Sequence, residues 1–136
     1  MKDYFVWKAE YALGFKEIDE QHQYFVSLLN KLYTAIMEMK PQEDLAVVLN
    51  DLVAYTDKHF QTEEKYFTEF GFEGAEDHKA KHRELKASVV EFKDKMLRHE
   101  AVIDFELVDF LENWLLDHLS KVDKKYVACF QEHGLK

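Results

Sequence analysis

The sequence predicts an all-α protein in which four antiparallel helices form one bundle behind an N-terminal arm. The 136-residue chain contains four glycines and one proline, the two residue types least favoured inside helices. Between these breaks the apolar residues recur at helical spacing, and the short connections favour antiparallel neighbours. A chain of this length can bury one compact core, so we expect a single domain over residues 1–136.

The breaks divide the chain into an arm and four helices. Pro41 follows the first helix, and Gly71 and Gly74 follow the second, as expected for residues that interrupt helices. Start and stop signals place the arm at about 1–17 and the helices at about 19–39, 43–70, 75–97 and 104–130.

The helix ends are less well defined than the helices themselves. Asp19 is placed to cap the first helix, because an aspartate accepts hydrogen bonds from free backbone N–H groups at a helix start. The break near His99 is inferred from the end of the apolar stripe at Met96 and from Asp104 as the next cap.

Composition excludes several classes of protein. The net charge of −9 repels nucleic acid phosphates and anionic lipids. The single cysteine, Cys129, rules out an internal disulfide and thiolate-rich metal sites. No stretch is apolar for long enough to be a signal peptide or a membrane span. We therefore expect a cytoplasmic protein that is not membrane-embedded and binds no nucleic acid.

Histidines and a glutamate occupy core positions of the predicted helices. Taken helix by helix they are His22; His59 and Glu63; His78 and His82; and His118. Each is weak evidence alone, because a buried histidine is more often hydrogen-bonded core than a ligand. Burying the whole set without a cation would cost several kcal/mol per unpaired charge. The set therefore predicts a metal site.

Asp123 completes this set only if the last helix is irregular. It lies five residues after His118, about 140° away around a regular helix. A single-turn π-bulge would turn Asp123 inward together with Tyr126 and Phe130. The alternative is a regular helix with Val122 inward and Asp123 in solvent. Spacing alone favours this alternative, whereas the presence of the other candidate ligands favours the π-bulge.

The sequence resembles the bacterial hemerythrins, single-domain non-haem di-iron proteins that bind dioxygen, over essentially its whole length. The matching segments are Trp7, Tyr11 and Gly14, then Ile18-Asp19-Glu20-Gln21-His22, His59-Phe60-Gln61-Thr62-Glu63-Glu64, His78-Lys79-Ala80-Lys81-His82, Trp114-Leu115-Leu116-Asp117-His118 and Asp123. All seven ligand positions of the family are filled. The resemblance implies an up-down-up-down four-helix bundle, the topology of myohemerythrin.

The resemblance also implies the cofactor, two Fe ions that are Fe²⁺ in the deoxy form and share an oxo or hydroxo bridge. One iron would be bound by three histidines, the other by two, and two carboxylates would bridge them: His78, His82 and His118; His22 and His59; Glu63 and Asp123. The two-histidine iron then has five donors and one vacancy, where dioxygen would bind.

An apolar pocket is expected around that vacancy, because a dry site slows oxidation of the centre. The candidate lining residues are close to the ligands in sequence, although each is equally well explained as ordinary core: Phe25, Phe60, Leu115 and Leu119. Trp114 and Tyr126 are weaker candidates.

The implied function is reversible dioxygen binding for oxygen storage, transport or delivery, and not catalysis. One vacancy leaves no second open position for a substrate, and five neutral imidazoles disfavour high-valent iron. The alternatives are a di-iron oxidase or peroxidase, a sensor of oxygen or nitric oxide, and an iron-holding bundle. A sensor would require an output domain, for which the chain has no residues left. The expected partners are dioxygen and an oxygen-consuming enzyme that receives it, and the protein is expected to be a monomer.

Overall fold

The computed structural model describes Phe5 and residues 7–136, except for the side chains of Leu119 and Ser120. The arm contains one 3-10 turn, Ala9–Tyr11. The main helices are α1 (Lys16–Met37), α2 (Gln42–Phe70), α3 (Ala75–Leu97) and α4 (Phe105–Asp117). A π-helical turn (His118–Val122), a 3-10 turn (Asp123–Tyr126) and α5 (Val127–Glu132) continue the fourth helix.

The predicted fold class is confirmed. The described residues contain no strand, α1 packs against α2 and α4, and α2 packs against α3. These helices form a four-helix bundle. No helix in the described part of the chain is both long and apolar enough to cross a membrane.

The longest helix, α2, shows how sequence spacing positions the site. Leu45, Leu49 and Leu52 are buried on one stripe, which continues through His59 and Glu63, because residues three and four apart share a helix face. The helix ends at Gly71, whose φ of 64° is left-handed and whose N–H bonds to the carbonyl of Phe67. Glycine adopts this conformation without steric cost.

The prediction that Asp19 caps the first helix is wrong. The helix begins earlier, at Lys16, with Phe15 at the cap position and no side-chain cap. Asp19 instead accepts hydrogen bonds from the backbone N–H groups of Leu13 (2.8 Å) and Gly14 (3.0 Å). Its carboxylate therefore fastens the arm to the bundle.

Two amide side chains fasten the arm and the connection between α3 and α4 to the bundle. The Asn30 side chain both accepts from and donates to the backbone of Phe5, at 2.7 Å each. Gln42 does the same to Ile103, accepting from its N–H at 2.8 Å and donating to its carbonyl at 3.0 Å. The second pair holds the connection between α3 and α4 against the start of α2.

The irregular turn predicted after His118 is confirmed. The segment His118–Val122 is π-helical, Asp123 and Tyr126 are fully buried, and Val122 is only partly buried. A π turn absorbs one extra residue, so the inward face resumes at Asp123 and not at Val122.

The buried residues form two apolar clusters. The larger one includes Leu52 and Phe60, and the smaller one includes Phe67 and Tyr126. Along α2 the buried polar residues His59 and Glu63 lie between Leu52 and Phe67. The bundle therefore carries a polar layer between two apolar ones.

Candidate metal centre

All seven sequence-predicted metal ligands meet in this polar layer. They form two groups in which the ligand atoms lie within 4.8 Å of one another, and both groups are buried: Glu63, His78, His82 and His118; His22, His59, Glu63 and Asp123. Every helix of the bundle contributes, and the two groups share Glu63. The arrangement can therefore accept two adjacent metal ions.

Pairs of imidazole nitrogens lie at the separation expected for ligands of one ion. His22 Nε2 is 2.9 Å from His59 Nε2, and His78 Nε2 is 3.2 Å from His118 Nε2. Metal–nitrogen bonds of about 2.0–2.1 Å, set at right angles, place two donors about 2.9 Å apart. Both pairs match this geometry.

The carboxylate of Asp123 lies between the two groups. Its Oδ1 is 2.7 Å from His118 Nε2 and 3.0 Å from His78 Nε2, whereas its Oδ2 is 3.2 Å from His22 Nε2. Each oxygen thus faces a different set of histidines. This placement depends on the π turn, because a regular helix would direct Asp123 elsewhere.

The carboxylate of Glu63 also reaches histidines of both groups, but through a single oxygen. Its Oε1 is 3.1 Å from His82 Nε2 and 3.4 Å from His59 Nε2. Its Oε2 accepts a hydrogen bond of 2.6 Å from the buried hydroxyl of Tyr126. Burial raises the pKa of Tyr126 well above its ordinary value, so this hydroxyl keeps its proton and acts as a donor.

Several polar atoms at the centre lie within ion-pair distance of imidazole nitrogens but make no hydrogen bond. Within the described part of the chain, buried atoms without a hydrogen-bond partner include Glu63 Oε1, His82 Nε2 and both carboxylate oxygens of Asp123. Unpaired buried acceptors are costly, and these atoms belong to residues of the two donor groups. Nitrogen and oxygen donors of this kind suit iron and other divalent ions, so the residues fit a di-iron cofactor.

The pKa shifts of the site show how the protein balances its buried charges when no metal ion is bound. Burial lowers the pKa of His59 to about 3. Burial also opposes the charged form of His118, but the attraction of Asp123 and Glu63 is greater and raises its pKa to about 10. The same imidazole, together with His22, keeps the pKa of Asp123 well below its usual range although burial and Glu63 raise it. Protons on histidine therefore balance the two carboxylates where a metal ion would otherwise do so.

Two side chains outside the predicted set orient the imidazoles. The His59 ring faces the amide oxygen of Gln21 through Nδ1 at 2.6 Å. The His82 ring faces a carboxylate oxygen of Glu64 through Nδ1 at 3.1 Å. A proton held on Nδ1 leaves Nε2 free to bind a metal. Sequence reasoning gave these residues no role, although each adjoins a ligand in the sequence.

A small cavity adjoins the two-histidine group. It has a volume of about 10 Å³ and an apolar surface, and it is lined by His22, Phe25, Thr56, His59, Phe60, Trp114, Leu115 and His118. This volume is close to the minimum that holds one water-sized molecule.

Three of the four residues expected around the vacancy, Phe25, Phe60 and Leu115, line this cavity. The side chain of Leu119 lies outside the described residues. Trp114, a weaker candidate, is part of the wall, whereas Tyr126 is not, because it contacts Glu63 instead. Thr56 was not predicted to line a pocket; its hydroxyl donates to the carbonyl of Leu52 at 2.7 Å.

Comparison with known proteins gives one consistent result. Residues 13–130 match the hemerythrin HHE cation binding domain family. A bacteriohemerythrin of Pseudomonas aeruginosa is 33% identical over 122 residues, covering 90% of this chain and 78% of the relative. A bacteriohemerythrin of Clostridium acetobutylicum is 27% identical over 127 residues, covering 90% and 98%. A myohemerythrin of Riftia pachyptila is 29% identical, covering 90% of each.

Solved structures agree with the sequence comparison. A crystal structure of wild-type hemerythrin superimposes with a TM-score of 0.86 at 29% identity, covering 93% of this chain and 97% of that one. A point mutant of hemerythrin gives a TM-score of 0.88 at 26% identity, covering 94% and 98%.

Proposed function

The chain belongs to the hemerythrin family, and we propose that it binds dioxygen reversibly, for storage, transport or delivery of the gas. The family is one of non-haem di-iron proteins that are mainly oxygen binders. The observation that carries the proposal is the inequality of the two buried donor groups. One group has three histidines and the other two, and the small apolar cavity is lined by both histidines of the smaller group but by only one, His118, of the larger group.

The proposed ligand assignment follows the two groups. One metal position is made by three histidines and the other by two, with two carboxylates between them: His78, His82 and His118; His22 and His59; Glu63 and Asp123. With a solvent-derived bridge, a metal ion at the three-histidine position would have six donors and one at the other position would have five. The open position would then lie on the side of His22 and His59, which line the cavity together with His118.

When bound, a pair of ferrous ions supplies the electrons that dioxygen binding requires. The protein supplies the surroundings. Phe25, Phe60 and Leu115 keep water away from the open position, since the cavity they line has an apolar surface. Tyr126 holds Glu63 in place through a 2.6 Å hydrogen bond. A rigid and dry site favours release of the gas unchanged.

The size of the cavity argues against an enzyme. A cavity of about 10 Å³ is far smaller than the pockets that hold organic substrates, which occupy about 300–1,000 Å³. We therefore propose a carrier or store and not an oxidase or peroxidase.

The proposed location is the cytoplasm. The free thiol of Cys129 suits a reducing compartment. A carrier there would deliver dioxygen to an oxygen-consuming enzyme.

The decisive experiment is an oxygenation cycle. The iron-loaded, reduced protein is exposed to air and then to argon while its visible absorption is recorded. We expect a charge-transfer band that appears in air, disappears under argon and returns in air over several cycles. A band that is lost permanently after one exposure, with oxidation of an added substrate, would favour an enzyme.

A further inference from the structure

The outer nitrogens of three of the site's imidazoles have unequal partners. His82 Nδ1 faces the carboxylate of Glu64, His59 Nδ1 faces the neutral amide of Gln21, and the buried His22 Nδ1 finds no partner among the described residues. Among these three imidazoles only His82, which belongs to the three-histidine group, has a charged partner. This difference is not required by the fold, because either a glutamate or a glutamine can accept a hydrogen bond through its oxygen.

The surroundings of His82 show that its ring is held from two directions. Phe60 stacks on the ring face, with centroids 3.7 Å apart and planes 5° apart. Glu64 lies one helical turn after Phe60 on α2 and meets the ring edge at 3.1 Å. The His82 side chain is 2% exposed and that of Glu64 is 35% exposed. The carboxylate thus stands at the boundary between the buried site and solvent.

We propose that Glu64 is a positioning residue for the three-histidine metal position, and that its charge makes this position richer in electron density than the two-histidine position. A carboxylate that accepts the Nδ1 proton makes Nε2 a more basic ligand, and a neutral amide does so less. The proposal rests on the di-iron centre of the proposed function. It adds that the two positions differ in their outer partners as well as in their number of histidines.

The positioning part is tested by metal affinity. Glu64→Ala removes both the hydrogen-bond acceptor and the charge, and outer partners of metal ligands are worth about 10–100-fold in affinity. We expect Co²⁺ to bind the metal-free Glu64→Ala variant more weakly by that factor, measured by competition with a chelator under argon. Glu64→Gln keeps an acceptor oxygen and should recover most of the affinity. Wild-type affinity in Glu64→Ala would overturn the positioning role.

The charge part needs a different readout. Loss of a negative charge beside the centre destabilises its oxidised form, so Glu64→Gln should shift the reduction potential of the iron-loaded protein to a more positive value. Gln21→Glu adds a charge at the corresponding place and should shift it to a more negative value. Glu69→Gln removes one charge from an exposed position of the same helix and controls for net charge. Equal potentials in Glu64→Gln and Glu69→Gln would refute the electronic role.

The ring itself can be observed directly. In the Zn²⁺-loaded protein, the nitrogen chemical shifts of His82 should show the proton on Nδ1, and exchange of that proton with water should be faster in Glu64→Ala. Unchanged exchange would contradict the hydrogen bond on which the proposal depends. Affinity, potential and exchange are all measured without dioxygen. They therefore test the role of Glu64 even if the oxygenation cycle fails.

Discussion

Replacing Tyr126 with phenylalanine tests whether the site is braced from outside the ligand set. The substitution removes one hydroxyl, which donates to Glu63 Oε2 at 2.6 Å in a place where both side chains are 0% exposed. Hydrogen bonds to charged groups contribute about 1.5–3 kcal/mol. The upper part of that range is expected, because burial leaves the glutamate oxygen without water as a substitute partner. The metal-free Tyr126→Phe variant should therefore unfold with a free energy lower by about 2–3 kcal/mol.

The assay is urea unfolding of the metal-free proteins, followed by far-ultraviolet circular dichroism. The chain supplies a matched control, because Tyr66 also donates to a glutamate, Glu17, at 2.9 Å, but in an exposed position. Tyr66→Phe removes the same chemical group, and exposed interactions contribute about 0–1 kcal/mol. Equal losses in the two variants would refute the argument that burial makes the Tyr126 bond strong.

Other predictions concern the cavity, the connection between helices and the ion. Leu115→Ala should speed autoxidation of the oxygenated protein several-fold by opening the cavity wall. The control is Leu107→Ala, which removes a core side chain outside that wall and should lower stability without changing the autoxidation rate. An unchanged autoxidation rate in Leu115→Ala would remove the residue from the pocket. Gln42→Ala should lower the free energy of unfolding in urea by about 1–2 kcal/mol, because two hydrogen bonds to Ile103 are lost. Gln23→Ala, at an exposed position, should leave the free energy of unfolding unchanged. Chelation of the metal should lower the melting temperature, and Fe²⁺ added at 100 times its dissociation constant should restore about 2.7 kcal/mol; an unchanged melting temperature would show that the donors do not hold an ion.

The fold and the donor set follow from the sequence because both depend on helical periodicity. The spacing of Leu52, His59, Glu63 and Phe67 identifies the buried face of α2 without any information on the helices that pack against it. The same spacing that predicts a core also reveals which core positions are polar.

Features that depend on contacts between segments were harder to predict. Asp19 has the chemistry of a helix cap, but the arm folds back so that its carboxylate meets the N–H groups of Leu13 and Gly14. Gln21 and Glu64 reach histidines on neighbouring helices, and their reach depends on side-chain rotamers that spacing does not encode.

The turn after His118 lies between these two cases. Spacing alone favoured a regular helix, and the surplus of buried charge favoured the π turn that the structure has. Local spacing was therefore insufficient at Asp123, and the conformation was indicated by the candidate ligands on the other helices. The wall of the cavity also includes Thr56, which lies on the same buried stripe of α2 as Leu52 and His59.

Iron analysis combined with Mössbauer spectroscopy of the oxygenated protein tests the central claim most directly. Two buried positions with unequal donor groups, one of them open to the gas, predict two irons per chain and two signals of equal area from different iron environments in the oxygenated protein. One iron per chain, or two irons that stay indistinguishable in air, would contradict a centre that binds gas at a single open position.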